Sequence, residues 1–182
     1  MTGVQTCALP ISANLAGAGG ISGATGKILG SGSVSAISTG GTVDLTNAAN
    51  DIANASGSAS TTFNLVDVSA LNVGNVTAGT TASVSAPTLT AAGSIAAPTV
   101  SLTASTGTLG ITGTISSTAT ANLAGAGGIS GATGKILGKG SVSAISTGGT
   151  VDLTNAANDI ANASGSASTT FNLVDVRSEE HT

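Results

Sequence analysis

Four aspartates are the residues of this chain that could pair as acid and base in the cleavage of a polysaccharide. Asp51 and Asp67 recur as Asp159 and Asp175. Two carboxylates facing one cleft can divide the general-acid and general-base work of glycoside hydrolysis. That chemistry also needs side chains to hold the sugar and to set the two pKa values apart. Between residues 12 and 176 there is no Arg, His, Glu or Tyr. The expectation is a chain that is not an enzyme, with isolated aspartates that keep a surface soluble.

Two glycine-rich stretches invite a ligand and decline it on spacing. Gly20-Ile21-Ser22-Gly23-Ala24-Thr25-Gly26-Lys27 approaches the phosphate loop G-x-x-x-x-G-K-[ST]. Ile21 stands where the first glycine belongs, and Ile28 follows the lysine where Ser or Thr is required; Lys135-Ile136 fails the same way. Gly40-Gly41-Thr42-Val43-Asp44-Leu45 echoes a calcium nonapeptide, but its third glycine is missing and its Asp comes one residue early. No catalytic, cofactor-binding or metal-binding residue is therefore assigned, and no cofactor is expected. Asn54-Ala55-Ser56, Asn75-Val76-Thr77 and Asn162-Ala163-Ser164 are glycosylation sequons, in a chain rich enough in Asn, Ser and Thr to produce them by chance.

The elements that would carry these residues are short strands. Thr42-Val43-Asp44-Leu45-Thr46, Phe63-Asn64-Leu65, Leu71-Asn72-Val73, Ser83-Val84-Ser85-Ala86, Thr99-Val100-Ser101-Leu102 and Leu109-Gly110-Ile111 alternate apolar with polar. A period of two marks half-buried strands. Gly40-Gly41, Ser56-Gly57-Ser58, Ala78-Gly79-Thr80, Ala92-Gly93-Ser94 and Thr106-Gly107-Thr108 read as the turns between them. At Leu65-Val66 the alternation slips, so that Val66 and Val68 take over the inward phase; a strand turning a corner would need such a slip. Helix is disfavoured by the abundance of Gly, Ser, Thr, Val and Asn.

These strands belong to a long repeat. Ala13–Val68 returns as Ala121–Val176, an offset of 108 residues, with one difference, Ser31 against Lys139. With coils of about 20 residues the unit holds roughly five. The two ends are foreign to this pattern. Residues 1–11 (MTGVQTCALPI) and 177–182 (RSEEHT) contain the only Cys, Met, Gln, Arg, Glu and His. Back-translated, both match a widely used short-read sequencing adapter, and Ser12 against Thr120 fits one adapter base replacing the first base of a Thr codon. A lipoprotein signal ending at Cys7 would need a basic start and an apolar stretch that residues 1–6 lack. The expected organisation is an artefact at 1–11, a repeat region at 12–176, and an artefact at 177–182.

Composition narrows the class further. Lys27, Lys135 and Lys139 face six aspartates within the repeat region, too sparse a charge to neutralise phosphates, so no nucleic acid is expected as a partner. The chain is 40% hydrophobic, which argues against disorder, and its only aromatics are Phe63 and Phe171. No run of eighteen apolar residues is present to span a membrane as a helix.

Gly-Gly-Thr-Val-Asp-Leu-Thr (40–46), Ala-Asn-Asp-Ile (49–52), Phe-Asn-Leu-Val-Asp-Val (63–68), Leu-Asn-Val-Gly-Asn-Val (71–76) and Pro-Thr-Val-Ser-Leu-Thr-Ala (98–104) resemble the shafts of filamentous-haemagglutinin-type adhesins, exoproteins of bacterial two-partner secretion. The resemblance covers most of the repeat region. It implies an all-β fold, a right-handed parallel β-helix, displayed extracellularly at the cell surface. It also implies an outer-membrane transporter as secretion partner, and contact with a host or neighbouring cell through other parts of the parent protein. The function expected is a structural shaft; the alternative is a Ser/Thr-rich face that binds carbohydrate or ice.

Overall fold

The computed structural model describes residues 12–176. The adapter-like segments 1–11 and 177–182 lie outside the described residues. Seventeen strands are described, and all pair in parallel between successive coils. The chain is a β-solenoid of about 8 turns. Each turn has three sides. In the middle of the stack one turn runs Leu109–Ile111 on one side, 114–117 on the next, and 120–125 on the third.

The expected alternation explains the core. Along Thr81–Ala86 the burial pattern places Ala82, Val84 and Ala86 inward and leaves Thr81, Ser83 and Ser85 half exposed. Inward residues then stack coil on coil. One column reads Ile21, Val43, Phe63, Ala82, Val100, Ala121, Val142 and Ala163. Another reads Leu71, Leu89, Leu109, Ile129, Val151 and Phe171. A fully buried Leu, Ile or Phe contributes about 1.5–3 kcal/mol, and such a column is continuous only because neighbouring coils supply both walls.

Coils are not equal in length. Ile21 stacks on Val43, a step of 22 residues, whereas Ala55 stacks on Val73, a step of 18. The differences are absorbed at corners, where the register shifts, as between Gly30 and Ser33. Insertions at corners leave the flat sides in register.

The two copies of the repeat do not lie above one another. Leu15 is followed in its column by Ala36, Gly57, Val76, Ile95 and Ile115, which completes five turns. Eight residues later Leu123, the duplicate of Leu15, lies one side further on, in the column of Leu45 and Leu65. One 108-residue unit is thus five turns plus one side, and the second copy is turned by about a third of a revolution. At about 4.8 Å per coil the unit rises about 26 Å.

Two local expectations are corrected. Ser56-Gly57-Ser58 is not a turn; it lies inside the strand Asp51–Ala59. Gly57 is there because its Cα faces both the Ala36 carbonyl oxygen and the Phe63 ring, and a Cβ would strike both. The phase also does not slip at Leu65-Val66. Phe63, Leu65 and Asp67 point inward in unbroken alternation, and Val68 is exposed. The corner is made by a polar cassette in place of an apolar slip.

Candidate functional site

That cassette gathers two of the four candidate aspartates. Asn50 is fully buried: its Oδ1 accepts from the Ile28 N–H at 2.8 Å, and its Nδ2 donates to the carbonyls of Leu45 at 2.8 Å and Val66 at 3.1 Å. One amide side chain thereby ties three successive coils where the backbone turns and cannot pair with itself. Asp67, only 4% exposed, accepts from the N–H of Ile52 at 2.7 Å and of Ser69 at 2.9 Å. The Ser69 hydroxyl donates within reach of both Asp67, at 3.0 Å, and Asp51, at 2.7 Å. Asp51 and Asp67 therefore meet around one serine. Asp67 is a buried corner anchor, which corrects the expectation of an isolated solubilising charge.

Electrostatics agree with that role. Burial pushes the Asp67 carboxyl above its ordinary range, hydrogen bonds from Ser69 and Ile52 pull it back in part, and the Asp51 charge adds to the rise. In the second copy Asn158 repeats the pattern of Asn50, with Ile136, Leu153 and Val174 as partners. Asp175 accepts from the Ile160 N–H at 2.9 Å. Sequence reasoning missed Asn50 and Asn158 as anchors. The signal lay in Asn-Asp-Ile following an Asx turn, since Asn47 and Asn155 each cap the residue two positions on.

The other candidates are surface features. Lys27 is exposed, at the end of an open glycine-rich loop. Asp44 lies on a strand and accepts from the Thr46 hydroxyl at 2.7 Å; Asp152 and Thr154 repeat this. Beside Asp44 is a shallow groove lined by Gly20, Ile21, Ser22 and Thr42, and the equivalent groove beside Asp152 is lined by Gly128, Ile129, Ser130 and Thr150. Among the described residues no three His, Cys, Asp or Glu gather in a group that could hold a metal ion. Of the sequon asparagines, Asn75 and Asn162 are exposed, and Asn54 accepts from Asn72 in a short ladder at 3.1 Å.

One array emerged that spacing had hidden. Thr62, Thr81, Thr99 and Thr120 stack in register on one side, followed by Ser141 and Asn162. Beside them runs a second outward column, Asn64, Ser83, Ser101, Asn122 and Ser143. The threonines looked irregular in the sequence because unequal corners separate them by 19, 18 and 21 residues. In space the rows repeat at about 4.8 Å across strands and about 7 Å along them.

Fold and site together define a class: a three-sided parallel β-solenoid whose polar chemistry is spent on corners and flat faces. No family model, curated protein or solved structure matches the chain.

Proposed function

We propose that this chain is a non-catalytic shaft segment of a secreted or surface-displayed bacterial adhesin, exported by two-partner secretion. The observation that carries the reading is the uninterrupted core, in which inward residues from Val34 to Ile160 form one cluster along the whole stack. Such a rod supplies length and stiffness, and its polar side chains are engaged at corners. The motif resemblance to haemagglutinin-type shafts supports the adhesin assignment, extracellular placement, an outer-membrane transporter as export partner, and host contact through other parts of a longer protein. Proteins carrying one, two and three further copies of the 108-residue unit test the shaft. Solution scattering should show the long dimension growing by about 26 Å per unit at constant cross-section. Growth in the cross-section would refute a rod, and surface detection of the parent polypeptide on intact cells tests the placement.

A second reading has its own observation. The registered threonine column and its Ser/Asn neighbour form a flat hydroxyl lattice suited to a carbohydrate or an ice plane. Thr81→Lys and Thr99→Lys would abolish thermal hysteresis or glycan retention if the lattice binds. Wild-type protein lacking both properties would leave the shaft alone.

A further inference from the structure

The long side that carries the threonine column differs from the corners in how its polar groups are used. At the corners, side chains are engaged within the chain: Thr42 with Thr61, Thr150 with Thr169, Ser38 with the Gly41 N–H, and Asn50 with three backbone groups. On the long side, Thr81, Ser83, Thr99, Ser101, Thr120 and Asn122 make no side-chain hydrogen bond among the described residues. They form two outward columns across three successive coils, and further coils lie on both sides of these three. Each group both donates and accepts, and none is charged. A third outward column on the same side reads Ser85, Thr103, Ala124 and Ile145. Ala124, Ala126 and Ile145 line a shallow depression of about 220 Å³ there, together with Thr103, Ser105 and Thr147. A strip of neutral hydrogen-bonding groups is thus bordered by a strip of exposed carbon.

We propose that this side binds an extended, uncharged, β-linked polysaccharide laid along the rod axis. The proposal rests on the hydroxyl-lattice reading and narrows it to one ligand class. A sugar ring carries hydroxyls at its edge and C–H groups on its faces, the same pairing that the two strips present. Along the axis the columns repeat at every coil, about 4.8 Å apart. A linear glycan on that line brings successive sugars to equivalent side chains, coil after coil. Laid across the side, it would meet the width of one strand and then a corner. Ser83 and Ser101 are shorter than Asn122, so the second column is uneven, which hydroxyl ligands tolerate better than an ice plane does. No Lys or Arg stands in the three columns to meet a sulfated or uronic polymer. The sheet holds these side chains on a rigid frame, so ordering them on binding costs little.

Titration calorimetry of the full chain with cellobiose, cellotetraose and cellohexaose tests the proposal. Affinity should rise with each step in length, because added sugars reach further coils. Maltohexaose, the same sugar in a coiling linkage, should bind more weakly than cellohexaose. Ser101→Lys in the grid and Ala124→Asp in the apolar strip should each weaken cellohexaose binding by about tenfold or more. Thr77→Lys, on another side, should leave it unchanged. Thermal hysteresis without cellohexaose binding would overturn the glycan and leave the lattice to ice. Absence of both properties would remove the lattice reading as well. Equal affinity for cellobiose and cellohexaose, or tighter binding of heparin than of cellohexaose, would overturn an axial, uncharged ligand, and both comparisons need only the wild type. Undiminished binding by both Ser101→Lys and Ala124→Asp would overturn this side as the site.

Discussion

Ala13–Val68 and Ala121–Val176 differ at a single position, Ser31 against exposed Lys139, yet they occupy different environments. Among the described residues, the first copy has further coils only above it and the second only below it. Each residue's burial is set by its place in the stack, and its own identity decides only whether it faces in or out. The copies also occupy different sides, one third of a turn apart. That is possible because the sides are chemically alike: each presents mainly aliphatic residues inward and mainly hydroxyl or amide residues outward. A third of a turn per unit has a further consequence. Any outward feature of the unit, such as the groove beside Asp44 and Asp152, is displayed on successive sides of the rod.

The largest expected contrast is at the phenylalanines. Phe63→Ala removes a ring buried from both neighbouring coils and should cost about 3–5 kcal/mol in denaturant unfolding. Phe171→Ala removes one already partly open and should cost about 1–2 kcal/mol, since roughly two thirds of its transfer and none of an enclosed cavity is at stake. Equal costs would mean that the end coil is covered in solution, and dilution of the sample would then separate the two values.

The glycines opposite those rings come next. A Cβ on Gly57 meets the Ala36 carbonyl oxygen and the Phe63 ring; on Gly165 it meets the Ala144 carbonyl oxygen and the Phe171 ring. Gly57→Ala should cost about 1–3 kcal/mol, because coils on both sides hold the strand in place. Gly165→Ala should cost less, since the last strand can shift toward the open side. Amide exchange around Ala55–Ala59 against Ala163–Ala167 checks this, and faster exchange around 163–167 alone would contradict it.

The corner asparagines should instead erase the contrast. Asn50 and Asn158 are both fully buried and each makes three hydrogen bonds to backbone groups. Asn50→Ala and Asn158→Ala should each cost about 1–3 kcal/mol through the backbone groups left unpaired. A large difference between them would show that the second corner opens with the end coil.

These contrasts also mark what the chain revealed before folding. Strands such as Thr81–Ala86 and Leu109–Ile111 were legible because period-two alternation is set by single residues and needs no partner. The repeat unit was legible for the same reason. The threonine column was not, because alignment across coils depends on corner lengths that vary from coil to coil. Gly57 read as a turn because its neighbours are turn formers, whereas pairing to both adjacent coils keeps that segment extended. Val68 read as inward by hydrophobicity alone, but the inward place went to Asp67, whose carboxylate can accept the backbone N–H groups that a corner leaves over.

The smallest expected effect lies at those corner carboxylates, where the copies have different neighbours in the chain: Ser69 succeeds Val68, and Arg177 succeeds Val176. Burial raises the Asp67 carboxyl above its ordinary 3.8, so the fold favours its neutral form. That direction fixes the sign of the linkage. Above the folded value Asp67 is charged in both states and its contribution is flat. As pH falls through the folded value, the folded chain takes up the proton first, so stability rises until the unfolded value near 3.8 is passed. The urea midpoint of the wild type should therefore increase modestly on acidification from neutral pH toward 4, and Asp67→Asn should remove that slope whatever it does to the midpoint at neutral pH. A midpoint that falls on acidification in the wild type, and is flattened by Asp67→Asn, would mean that the hydrogen bonds from Ile52 and Ser69 outweigh burial at this corner.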